Sequence, residues 1–171
     1  PWEQIPANLK SATLAAEDSN FYTHSGFDLR GIFRSFLNDI KTFSLSQGGS
    51  TITQQLVKQT ILGSEKTALR KVRELVLSIE LERRFSKDQI FWMYLNQIPY
   101  GSNTYGVEAA AKTFFNKNAS QLSLNEAATL AALPQAPSYY SPYGNHVDSL
   151  IARKNGILVN MKRLGSISNL D

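Results

Sequence analysis

The sequence predicts an all-α domain, and three observations carry that prediction. Apolar residues recur at spacings of three and four along most of the 171 residues. Ser- and Thr-led capping patterns stand ahead of several of these runs. No run reads convincingly as a strand, and there is no internal repeat or low-complexity linker.

Taken in order, Pro6 suits the first position of a helix, and Leu9, Ala12, Thr13 and Ala16 follow at helical spacing until Asp18-Ser19-Asn20. Residues 27–43 are amphipathic through Leu29, Ile32, Phe33, Phe36, Leu37 and Ile40. Gln47-Gly48-Gly49 breaks the chain, and Ser50 or Thr51 caps a helix to about Leu62, with a turn at Gly63-Ser64. Residues 67–84 form the longest run. Leu69, Val72, Leu75, Val76, Leu77 and Ile79 spread around it, which predicts burial on most sides. The capping box Ser86-Lys87-Asp88-Gln89 opens a helix to about Gln97. Residues 99–105 read as a loop, 106–115 and 123–133 as helices, the latter opened by the Ser123/Glu126 box. Three prolines in 134–144 predict a tight, extended wrap. A last helix covers about 147–164, with Gly165 as its C′ residue.

Composition narrows the function classes. With 42% hydrophobic and 19% charged residues, intrinsic disorder is excluded. The net charge of +4 and pI near 9.3 favour an anionic partner: nucleic acid, phosphate or a membrane surface. The absence of cysteine rules out disulfides, thiolate zinc and cysteine nucleophiles, and two histidines argue against a His-rich metal site. No stretch approaches the ~18 apolar residues that a membrane span needs, and no signal peptide opens the chain. The chain reads as one domain cut from something longer.

Several residues carry candidate chemistry. Glu17-Asp18 closes the first helix, where the macrodipole disfavours acids. It reads either as a solvated pair or as a carboxylate ready to act as a base. His24 alone reads as a structural histidine. In Gly48-Gly49-Ser50-Thr51-Ile52-Thr53-Gln54-Gln55 the glycines free the backbone ahead of a helix whose N–H groups could meet phosphate. A plain N-cap with polar neighbours is the bland reading. Lys58 lies about two turns on, and the lysine spacing excludes a P-loop. Arg70, Lys71 and Glu74 share a face by their three- and four-residue spacings. A surface ion pair is the default there, but charges on so apolar a helix need partners or a cleft. Residues 27–43, with Arg30, Arg34 and Lys41, read either as a core helix or as one lying in a membrane interface. Tyr139, Tyr140, Tyr143 and His146 read as packing residues without a catalytic role.

Together these pieces resemble the peptidoglycan glycosyltransferase domain of class A penicillin-binding proteins and monofunctional transglycosylases, family 51 of the glycosyltransferases. The resemblance covers about residues 5–164. The stretch from Glu17-Asp18 through Phe21 and His24 to Gly26 resembles the first motif, and Gly48 to Gln55 matches the second. Arg70-Lys71 with Glu74 fits the third; Lys87, Ile90 and Tyr94-Leu95-Asn96 fit the fourth. Arg153-Lys154 with Ile157-Leu158 resembles the fifth. Two departures stand out: Gln59 follows Lys58 where the family usually has Asn, and the fifth motif more often shows paired arginines and Val-Leu. No Ser-x-x-Lys occurs, so a transpeptidase site is not expected within this chain, and the family's amino-terminal membrane anchor is not expected in it either.

The resemblance implies a lysozyme-like helical domain spanning residues 1–171, with a large lobe and a small membrane-proximal lobe at about 27–46. It implies an enzyme that polymerises lipid II, transferring the lipid-linked growing glycan to the acceptor's 4-hydroxyl with inversion. Glu17 would be the general base and Glu74 a second essential carboxylate, holding a divalent cation such as Mg²⁺ or orienting a side-chain cation. Asp18, Phe21, His24, Gly26, Arg34, Gly49, Ser50, Thr51, Gln54, Gln55, Lys58, Arg70, Lys71, Asn96 and Glu108 would line the substrate site. The partners implied are lipid II and the membrane surface on the extracytoplasmic face of the bacterial cell, with no nucleic acid and no organic cofactor. A transpeptidase domain could be joined to it in the parent protein. The rival readings are a lytic transglycosylase or lysozyme-like hydrolase, which needs no pyrophosphate pocket, and a basic helical binding module, supported by charge alone.

Overall fold

A computed structural model of the chain describes residues 2–28, 49–62 and 67–168. The predicted helix at 27–43, the small lobe at 27–46, Arg34 and Gly48 therefore lie wholly or almost wholly outside the described residues. The chain forms two compact units, Pro1–Ser19 with Leu95–Asp171 and Asn20–Tyr94.

The first unit is organised by small residues that let helices approach closely. Helix α1 (Ala7–Glu17) buries Leu9, Ala12, Thr13 and Ala15. Pro6 is its N-cap, in extended backbone, rather than its first helical residue. Within this unit α1 packs on two later helices, Leu124–Ala132 and Val147–Arg163. The former buries Ala127, Ala128, Leu130, Ala131 and Ala132; the latter buries Leu150, Ile157 and Met161. Each such Leu, Ile or Met contributes roughly 1.5–3 kcal/mol over exposure. The Ser123/Glu126 capping box is present as predicted. Gly165 takes φ +72°, and its N–H and that of Ser166 donate to the Lys162 and Met161 carbonyls, closing the last helix as a Schellman motif.

Two predictions in this unit are corrected. Residues 99–105 hold a small antiparallel hairpin, β1 (Pro99–Gly101) and β2 (Thr104–Tyr105), rather than a bare loop. Ser102 and Asn103 turn it with φ of +51° and +56°, a primed turn that neither residue signals as strongly as Asn-Gly would. Residues 134–144 are a succession of turns, closed by Ala136 N–H to Leu133 O, Tyr140 N–H to Ala136 O and Gly144 N–H to Ser141 O, not an extended wrap. Proline fixes φ alone, and turns satisfy that as well as extension does.

The second unit holds α2 (Ile52–Val57), a π-helical turn Lys58–Leu62, α3 (Ala68–Arg84) and α4 (Lys87–Gln97). The unit boundary at Tyr94/Leu95 falls inside α4. Phe21, Ile52, Leu56, Val57, Ile90, Phe91 and Tyr94 form its core. The Ser86/Gln89 box opens α4 as predicted. With α1 to α4 placed, the remaining α-helices among the described residues are α5 (Val107–Phe115), α6 (Leu124–Ala132) and α7 (Val147–Arg163).

The prediction for α3 is overturned. Glu74 is 1% exposed and Ser78 is sealed, whereas Leu69, Val72 and Val76 stand 60%, 58% and 58% exposed. The helix turns Glu74, Ser78 and most of Arg70 into the unit and leaves Leu69, Val72 and Val76 outward. Apolar periodicity reports that a helix is amphipathic but not which face the tertiary structure takes in. No helix among the described residues is long and apolar enough to cross a membrane.

Candidate active site

In the second unit the predicted second and third motifs converge. Thr51, the N-cap of α2, accepts from Gln54 N–H while its own N–H donates to Gln54 Oε1 at 3.0 Å. Thr51 Oγ1 donates to the Gly26 carbonyl at 2.8 Å. Gly26 has φ +90°, and a Cβ there would stand 3.0 Å from the Ser78 backbone. Gly26 thus lets the first-motif loop lie directly on α3, and the Thr51 hydroxyl ties that loop to the cap that Gln54 completes. Gln55 reaches Ser50 O through Nε2 and accepts from Tyr94 Oη at 3.2 Å. Helix α2 is only six residues long, and Thr51 satisfies one of its leading N–H groups. The expected cradle of free N–H donors is correspondingly reduced.

What this loop presents is Ser50. Its Oγ accepts from Lys71 Nζ at 3.0 Å. Lys71 also pairs with Glu74 Oε1, and Arg70 Nη1 pairs with Glu74 Oε2 at 2.7 Å. The shared helix face inferred from spacing is therefore real. Both carboxylate oxygens of Glu74 are engaged by cations, and two positive charges against one negative leave the cluster at +1. Arg70 Nε is buried with no hydrogen-bond partner among the described residues. Lys58 is exposed at the start of the π-turn, and Gly49 is exposed.

A supporting network lies behind the cluster. Lys87, from the fourth motif, pairs with Glu82, which also accepts from Thr53 Oγ1. Lys87 Nζ stands 4.3 Å from the centroid of Phe21, a core ring packed on Phe91 and edge-on to His24. Phe21 and His24 belong to this packing.

In the first unit, Glu17 ends α1 and Asp18 is its buried C-cap. Arg153 of α7 donates from Nη2 to Glu17 Oε1 at 3.0 Å. Tyr100, fully buried, has its phenol pushed well above the ordinary tyrosine range, first by burial and then by the negative charge of Glu17. The pairing of Glu17 with Arg153 was not foreseen from sequence; the fifth motif marked Arg153 without a role. Asn96 lies beneath the turn at Gly106, whose Cβ would meet the Asn96 carbonyl at 2.6 Å. Glu108 accepts from Ala119 N–H at 2.9 Å and pairs with Lys112, a local brace.

Among the described residues no three His, Asp or Glu side chains converge, and Glu74 is saturated by Arg70 and Lys71.

The first unit holds Glu17 shielded against Arg153, and the second holds Glu74 between Arg70 and Lys71. The family model described as Transglycosylase matches residues 1–162. Penicillin-binding protein 1F of Bacillus subtilis (strain 168) is 44% identical over 96% of this chain and 23% of its own length. Penicillin-binding protein 1A of Aquifex aeolicus (strain VF5) is 45% identical over 97% of the chain and 23% of its own length. Penicillin-binding protein 1A of Escherichia coli (strain K12) is 44% identical over 97% and 19%. The chain belongs to the transglycosylase family and is a glycosyltransferase domain of lysozyme-like helical fold. It spans a quarter or less of the length of these curated relatives. The hydrolase and binding-module readings lose their footing here.

Proposed function

We propose that the domain polymerises lipid II, with Glu17 as general base and the Arg70–Lys71–Glu74 cluster receiving the leaving pyrophosphate. The acceptor's 4-hydroxyl oxygen attacks the anomeric carbon of the lipid-linked donor strand. Its proton passes to Glu17. The bond from the anomeric carbon to the pyrophosphate oxygen breaks, and the electron pair leaves with that oxygen. Attack opposite the leaving group inverts the centre, and a positioned carboxylate contributes ~10²–10⁴-fold.

The observation that carries this reading is the cluster in the second unit: Lys71 joins Ser50 to one oxygen of Glu74 while Arg70 holds the other. A pyrophosphate gaining negative charge needs preorganised cations rather than an acid. In this reading Glu74 orients the two cations and leaves their outward N–H groups to the phosphates. Lys58 adds a third, mobile charge. Gly26, Thr51, Gln54 and Gln55 hold the loop that presents Ser50.

The membrane belongs to the same proposal. Lipid-linked substrates require the domain at a bilayer surface, and the exposed Leu69, Val72 and Val76 stripe of α3, with Arg73 beside it, offers an apolar face edged by a cation. The relatives' greater length leaves room for an anchor and a transpeptidase domain in the parent protein.

The test is turnover. Incubation with lipid II should yield glycan polymer, incubation with cell-wall sacculi should release nothing, and Glu17→Gln should abolish polymerisation while keeping the helical circular dichroism. Full activity of Glu17→Gln would refute the assignment.

A further inference from the structure

The mechanism above uses Glu17 and leaves its partner idle. Arg153 is 136 residues away in sequence and is anchored independently of the carboxylate. Its Nε donates to the carbonyl of Ala132, the last residue of α6, at 3.0 Å. A helix C-terminus is where a cation is favoured. Its guanidinium carbon stands 5.6 Å from the Tyr140 ring centroid. Its third contact is Glu17 Oε1, and both side chains are largely shielded, at 19% and 8% exposure. A planar fork fixed at two points has little freedom left at the third. Two turns further along α7, Asn160 Nδ2 donates to the Ala15 carbonyl, so α7 grips the last turn of α1 at two places. On the far side, Tyr100 from β1 feels the Glu17 charge but has no hydrogen-bond partner for its hydroxyl among the described residues.

We propose that Arg153 is a positioning residue for Glu17: it holds one carboxylate oxygen in place and keeps the base ionised until the acceptor hydroxyl arrives. This rests on the reading of Glu17 as general base. The groups facing Glu17 among the described residues include Arg153 from α7 and Tyr100 from β1, with Asp18 adjoining it in the chain; α6 contributes the Ala132 carbonyl through Arg153. Arg153 is the cation of this set, and a neighbouring cation favours the charged form of a carboxylate. Arg153 also opposes neutralisation of Glu17, so it trades base strength for readiness and aim.

The experiment is a pH profile of kcat/KM for lipid II polymerisation by the wild type, Arg153→Ala, Arg153→Lys and Arg153→Gln. For Arg153→Ala and Arg153→Gln the acidic limb should move up by about one pH unit or more. kcat should fall on the order of 10–100-fold from a misaimed base, with KM little changed. Arg153→Lys should restore the position of the limb but only part of the rate, because an ammonium cannot serve Ala132 and Glu17 as one rigid fork. A purely structural role would lower the active fraction equally at every pH and leave the limb where it was; that result, or wild-type kinetics in Arg153→Ala, overturns the proposal. If Arg153→Ala does not fold, the Lys and Gln variants carry the same comparison. Glu17→Gln, run alongside, separates the two claims: full activity there removes the base itself, whereas an inactive Glu17→Gln with an unmoved limb in Arg153→Gln removes only Arg153's role.

Discussion

Glu17 and Glu74 are both shielded helical glutamates, yet they are held in opposite ways. Glu74 meets cations three and four residues away on its own helix, one on each oxygen. Glu17 meets a cation brought from 136 residues away, itself tied to a third helix. The first arrangement is local: α3 makes it as soon as it winds, and one arginine and one half-exposed lysine leave it room to adjust. The second exists only when α1, α6 and α7 are packed, and it inherits their rigidity. A base must aim at a hydroxyl to within a fraction of an ångström, whereas a cation cluster receiving a diffuse diphosphate tolerates movement. The more rigid support lies under the residue whose chemistry is more directional.

The sharpest test of that contrast is to shorten each acid by one methylene. Glu17→Asp should cost on the order of 10²-fold in kcat, because the carboxylate retreats from a fixed geometry. Glu74→Asp should cost clearly less, as Arg70 and Lys71 follow it. Equal losses, measured in steady-state lipid II polymerisation, would break the comparison. A smaller effect distinguishes charge compensation from placement. Glu74→Ala strands Arg70 beside a buried gap and should lower stability by about 2 kcal/mol in urea unfolding. The double variant Glu74→Leu with Arg70→Met should recover most of that stability without recovering activity. The smallest effect concerns the two faces of α3. Val76→Glu should reduce co-sedimentation with anionic lipid vesicles roughly tenfold, leaving the inner charged face and the melting temperature unchanged. Unaltered vesicle binding would show that the outward stripe does not meet lipid.

Much of this was legible beforehand because it is local. The Ser86/Gln89 and Ser123/Glu126 boxes, the Gly165 terminus and the Arg70–Lys71–Glu74 face all lie within one or two helical turns, where spacing alone decides who meets whom. The hairpin at Pro99–Gly101 and Thr104–Tyr105 escaped notice because each strand is too short to show alternation. The Thr51 hydroxyl also bonds the Gly26 carbonyl, a contact 25 residues away that no local pattern reports.

The amino-acid sequence by itself determined that the chain is helical, where most helices start and stop, which charges share the α3 face, and the family to which it belongs. Only the tertiary structure decided that α3 buries Glu74 and leaves its valines outward, that Gly26 admits a loop against Ser78, and that Arg153 closes on Glu17. The reason is physical. Propensity, capping and side-chain periodicity act over a few residues, whereas burial and ion pairing depend on which surfaces the packed chain brings together, and that choice is made by the whole set of contacts at once.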